Sequence, residues 1–294
     1  MKRFIFLMVC ILCNMGVYAQ TTLQYHLKKG DVFKIKQDAE QIITQELDGA
    51  THEITNHIDG ILEFKVLGEL SNGYEVTLTF KDLNLKMNSS IQGVLMNVNA
   101  KEVKEDDMQS KIFNTILNNP VKMVLAKTGN ILKVQGGDSL VSKMARASGL
   151  EDEFSINMMK KSLENEFGSE ALSNSYKQMT FIYPLKKVNI NDKWENTYNG
   201  KLKTSNVWTL KSIVDNKAKI SGKASVLMDI TDANTIMKLS GTQTTSLTAD
   251  TNSGFIRYML VEGLSSGIST MKQMGGQEIP TTIKSKITYE LINK

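Results

Sequence analysis

Two stretches in which apolar and polar residues alternate around a glycine-containing turn constrain this fold more than any other feature. In the first, Val121, Met123 and Leu125 alternate with Lys122, Val124 and Ala126. Lys127-Thr-Gly-Asn130 turns the chain, and Ile131-Leu-Lys-Val134 runs back to Gly136 and Gly137. Successive side chains of a strand point to opposite faces, so this spacing predicts a β-hairpin. A related unit recurs where Ser246 to Ala249 leads through Asp250 to Gly254 and into Phe255-Ile-Arg-Tyr-Met259. The chain reads as two β-rich lobes, each built around one such hairpin.

The rest of the pattern fits that frame. Val32 to Glu46 and Thr51 to Leu70 read as long strands around Leu47-Asp-Gly-Ala50, and Ser71-Asn72-Gly73 turns the chain into Tyr74, Val76, Leu78 and Phe80. Apolar positions resume out of phase at Leu83, Leu85 and Met87, which predicts a bulge at Lys81-Asp82. Asp106 to Asn118, Asp138 to Ala147 and Phe154 to Met179 carry helical spacing, the last broken by Gly168, with Ser169 expected to cap its second half. Strands return from Lys201 to Leu291. The expected fold class is mainly β with α insertions (α+β): two antiparallel β-sheet lobes, with helices between them covering a sheet. Gly30 to Phe33 corresponds to Asn191 to Trp194, and the turn at Ser71 to Gly73 to that at Asp215 to Lys217. These matches raise a diverged duplication, against the alternative that any two β-meanders share such punctuation. The expected division is 1–19 as a signal peptide, 20–180 as an N-terminal β-meander lobe with a helical segment, and 181–294 as a C-terminal β lobe.

The export signal rests on Lys2 and Arg3, the apolar run from Phe4 to Leu12, and Val17-Tyr18-Ala19 before a cleavage point. The run is too short to cross a bilayer core of roughly 30 Å as a helix. Cleavage after Ala19 leaves a mature chain starting at Gln20. Both cysteines, Cys10 and Cys13, depart with the signal, so no disulfide, thiolate metal site or cysteine nucleophile is expected. Losing Lys2 and Arg3 brings a formal charge of +4 still closer to neutral. That balance argues against a nucleic-acid partner, and the apolar pattern against an integral membrane protein.

The order of segments carries a resemblance. An export signal, Lys28-Lys-Gly-Asp31, long strands, and Lys127 to Asn130 running into Val134 to Gly137 together resemble a family of exported, uncharacterised Bacteroidetes proteins, a domain of unknown function. The resemblance implies an exported β-rich protein of the periplasm or cell envelope and brings no catalytic residues with it. A looser likeness, of a sheet with covering helices, is to periplasmic lipid carriers with a half-barrel.

The motifs for catalysis are incomplete. Gly137-Asp138-Ser139-Leu140 spells the nucleophile block of GDSL-type esterases, but that chemistry needs a histidine base near the C-terminus. The only histidines are His26, His52 and His57, all far upstream. The block is expected instead to cap the next helix through Asp138 or Ser139. His52 and His57 stand five apart on a strand and are expected on opposite faces. The carboxylates at Asp229 to Asp232 and Asp250 match no calcium loop. No catalytic residue, metal ligand or cofactor is therefore expected.

Methionine is the one compositional oddity, with 16 in the chain. Its flexible thioether fills irregular cores and also lines surfaces that accept varied apolar ligands. The reading that follows is a non-catalytic exported protein binding an apolar or amphipathic small molecule or lipid between sheet and helices. Phe113, Leu117, Met144 and Met158 are its expected lining residues. An envelope structural or interaction module and a hydrolase with scattered carboxylates are the alternatives. The sequence carries no signal for oligomeric state.

Overall fold

A computed structural model describes residues 20–294 except 201, 232–234, 273–274 and 294. The expected signal peptide, 1–19, lies outside the described residues.

Alternation and tight turns produce a meander of long strands. β1 (Val32–Leu47), β2 (Ala50–Leu70) and β3 (Gly73–Ser89) follow one another, with β4 (Gly93–Asn99) folding back on the end of β3. Helix α1 (Met108–Asn114) precedes the hairpin of β5 (Val121–Ala126) and β6 (Ile131–Gln135). Helices α2 (Gly137–Arg146), α3 (Glu153–Phe167) and α4 (Ser169–Thr180) come next. A second meander closes the chain: β7 (Lys193–Tyr198), β8 (Leu202–Val214), β9 (Lys217–Thr231), β10 (Thr235–Asp250), β11 (Ile256–Met271) and β12 (Glu278–Asn293).

The two expected lobes are two flanks of one antiparallel sheet, in the order β6-β5-β3-β2-β1-β12-β11-β10-β9-β8-β7. The flanks join where β1 pairs with β12, in a register running through Ile35↔Leu291 to Gln45↔Thr281. Each meander alone would leave one long strand edge open, and pairing the two edges removes that liability. The expected bulge is present: Ile61 faces Asp82 and Leu62 faces Phe80, so Lys81 is the extra residue.

Helix ends differ from expectation at two places. Gly136 is the N-cap of α2 and no side chain caps it, so neither Asp138 nor Ser139 fills that role. Gly168, not Ser169, is the N-cap of α4. Asp138 Oδ1 instead accepts the Ser169 backbone N–H at 3.1 Å, tying the starts of α2 and α4 together. A carboxylate at a helix start satisfies an orphan N–H and complements the helix dipole whichever element supplies it.

The core lies on one face of the sheet, here the inner face, under α1 to α4 and two extended segments. The segment from Leu23 to Leu27 runs between the two hairpin turns singled out above. Tyr25 N–H donates to the Lys127 carbonyl and His26 N–H to the Ser253 carbonyl, both at 2.8 Å. Phe33 and Phe255 stack beneath it with centroids 4.1 Å apart. The second segment, 181–188, is held from β7 by Trp194 Nε1–H to the Ile182 carbonyl at 2.7 Å and Tyr198 O–H to the Phe181 carbonyl at 2.9 Å. The segments pair with each other at Thr21 and Val188.

Candidate ligand site

Helices α3 and α4 do not seal against the sheet. Between them and the inner face of β1, β2, β3 and β12 lies a cavity of about 170 Å³. Leu62, Phe80 and Leu85 wall it from the strands, and Phe167, Leu172 and Tyr176 from the helices. Leu172 and Tyr176 are four apart and share one face of α4. Phe80 sets the height of the gap, packing edge-on to Phe167 and Tyr176 with both centroids at 6.4 Å.

The walls are mainly apolar, with three carboxylates at the border. Burial holds Tyr176 and Tyr289 in the neutral phenol form, with Tyr289 pushed up to about 12. Gln37 and Ser175 add neutral polar groups. Asp59 and Asp82 border the space from the outward row, where Asn84 donates to Asp59 Oδ1 and Lys101 to Asp82 Oδ2, while Asp82 Oδ1 is buried and finds no donor among the described residues. Glu166 comes from α3 and already has a partner.

This partition extends along the sheet. Taken in register with Phe33 and Ile35, the inner rows of β1, β2, β3 and β8 to β12 contain one charged residue among the described residues, Glu69, which faces Tyr74 at the far end of β2 beyond a bulge. Lys36, Glu40, Glu262, Lys284 and Lys286 all stand on the outer row. An apolar cavity of about 150 Å³ is the size that accepts benzene, whereas drug-sized pockets begin near 300 Å³. This space therefore fits one ring or the end of one alkyl chain.

None of the four expected lining residues borders this cavity. Met144 is fully buried in the main core and Met158 is 60% exposed. Phe113 and Leu117 are partly buried against the core, Phe113 edge-on to Phe167 at 6.0 Å. Phe113 thus supports a wall residue from behind. Phe167, Leu172, Tyr176 and Tyr289 were missed in favour of Phe113, Leu117 and two methionines, although Leu172 and Tyr176 share a helical spacing.

The other sequence features resolve as structure. Ser139 is exposed on α2. His52 Nε2 meets Ser89 Oγ at 2.9 Å on the inner row, while His57 faces Asp38 at 3.3 Å on the outer one. Among the described residues, no group of three His, Cys, Asp or Glu is placed to hold a metal.

A continuous antiparallel sheet with helices over one face and a mainly apolar cavity between them defines a class by architecture, without an activity. The chain belongs to the family of unknown function DUF6263, whose model matches residues 71–256. No curated protein matches it. Among solved structures, lipovitellin, studied for its lipid–protein interactions, is similar with 12% identity and a TM-score of 0.48, over 91% of this chain. The chain spans only 26% of the lipovitellin chain. A second, an exported protein with a YmcC-like fold from Bacteroides fragilis, has 9% identity and a TM-score of 0.15, over 93% of this chain and 100% of its own. At these scores neither likeness bears on function.

Proposed function

We propose that this protein is an exported, non-catalytic binder of an apolar or amphipathic ligand, acting in the periplasm or cell envelope. The observation that carries the reading is the mainly apolar cavity between the inner face and α3–α4. A packed core closes to a density near 0.75 with few voids larger than water, so apolar walls left apart are a cost that a ligand would offset. The outer face supports a protein bathed in water. Its mid-strand charges Lys36, Glu40, Lys284 and Lys286 are the reverse of the apolar band that a transmembrane β-barrel turns to lipid. In this reading the two flanks of the sheet descend from a duplicated meander, with the helical segment of the first flank serving as the cover.

A second reading, an interaction module of the envelope, has one observation in its favour. The turn and strand after β3 expose Ile91 by 70% and Val94 by 64%. Apolar side chains grouped on a hairpin tip suit a protein contact.

Native mass spectrometry of protein purified from its own host separates the two. The binder reading predicts a bound apolar adduct that disappears in Leu172→Trp, which fills the cavity. Adduct-free parent protein, or an adduct unaffected by that change, would overturn it.

A further inference from the structure

Beyond the cavity the strands run on, and the next inner row consists largely of amides. Two residues along their strands from Leu85, Ile58 and Ala39 come Met87, Asn56 and Gln41, roughly 7 Å further at about 3.4 Å per residue. Ladder register carries this row across the sheet from Asn56 and Gln41 through Ser285 and Gln243 to Asn206 and Asn196. At the β7 end the row is satisfied internally. Asn206 Nδ2–H donates to Asn196 Oδ1 at 3.1 Å, and Trp208 Nε1–H donates to the same oxygen at 3.0 Å.

At the end nearest the cavity the row is incomplete. Asn56 Nδ2–H donates to Gln41 Oε1 at 3.2 Å, but Asn56 Oδ1 is buried and finds no donor among the described residues. Two more inner-row groups share this state: Gln45 Oε1 and Thr204 Oγ1, on side chains 3% and 2% exposed. A buried acceptor without a donor costs about 1–3 kcal/mol, so Asn56 Oδ1, beside the cavity, is open to a donor that arrives from elsewhere.

We propose that the site takes a single-chain amphiphile with an uncharged, hydroxyl-bearing head, its tail in the cavity and its head on the Asn56–Gln41 amide pair. This rests on the binder reading of the cavity and adds the chemical class of the ligand. A carboxamide both donates and accepts, which matches a hydroxyl, itself donor and acceptor. An anionic head on the amide row would be desolvated with no Lys or Arg on the inner strand rows, and a cationic head would find no Asp or Glu in that row, since Glu69 lies at the far end of β2 and Asp59 and Asp82 belong to the outer row. The step of roughly 7 Å from cavity wall to amide row suits a chain end below and a compact head above.

Calorimetric titration of the mature protein at neutral pH with 1-O-octylglycerol, octanoate and octylammonium tests this. The neutral probe is expected to bind about tenfold more tightly than either charged one, the worth of one or two hydrogen bonds. Asn56→Leu should lose about tenfold in octylglycerol affinity. Asn56→Asp should reverse the preference towards octylammonium, a gain that a misfolded variant could not show. Octanoate or octylammonium binding to the parent as tightly as octylglycerol would overturn the uncharged head and leave the binder reading standing. Failure of all three probes to bind would overturn both.

Discussion

Gly129 and Gly254 hold equivalent places in the two hairpin turns, and backbone passes close over each: the end of α4 at Thr180 over Gly129, and the Tyr25 segment over Gly254. Their φ angles are +91° and +72°, in the left-handed region. A Cβ on Gly129 would meet the Thr180 carbonyl oxygen at 1.8 Å, and one on Gly254 the Gln24 carbonyl oxygen at 2.2 Å. The recurrence of a glycine turn, which the sequence shows, thus has a cause that it does not show: a distant stretch of backbone crosses each turn. Alanine at either position should cost more than about 2 kcal/mol, adding displaced backbone to the left-handed penalty of about 1–2 kcal/mol. Gly49 is the control, with φ +79° and open space around its Cβ, and Gly49→Ala should cost only the left-handed penalty. Urea unfolding midpoints of the three variants check the ranking, and equal losses would contradict the crossing as the cause.

Elements show where local pattern is enough and where it stops. The long strands, the bulge at Lys81 and the helix break at Gly168 were legible because each depends on neighbours a few residues away, whereas the short strands β4 and β7 were not expected. The β1–β12 ladder was not, since either strand alternates as well whichever partner it takes. Helix caps failed for the same reason: the acceptor for the start of α4 comes from Asp138, on another helix. Asp138→Ala should therefore destabilise the protein by about 1 kcal/mol, as the loss of an N-terminal acceptor does, and Asp138→Asn by less. Denaturant titration of both variants beside Ser139→Ala, expected to be neutral, measures this. A loss in Ser139→Ala as large as in Asp138→Ala would contradict the assignment.

At the scale of the whole molecule, the sheet sorts its residues by face. Period-two alternation announced that each strand has an apolar side. It could not announce that these sides form one surface with a single charged residue, Glu69, because that depends on the register of eight strands at once. The lining residues were missed for a related reason. Methionine is adaptable enough to fill a core, as Met144 does, so its abundance did not mark the cavity. The walls come from leucine and aromatic residues whose spacing resembles that of any buried helix or strand. What sets them apart is a gap, and a gap has no sequence signature.

The central claim is that this gap accepts an alkyl chain. The most direct measurement is an NMR titration of methyl-labelled protein with 1-O-octylglycerol, reading contacts between octyl protons and leucine methyls. The account predicts cross-peaks to Leu62, Leu85 and Leu172, all lost in Leu172→Trp. Cross-peaks confined to exposed methyls such as those of Leu185, which is 97% exposed, would contradict it.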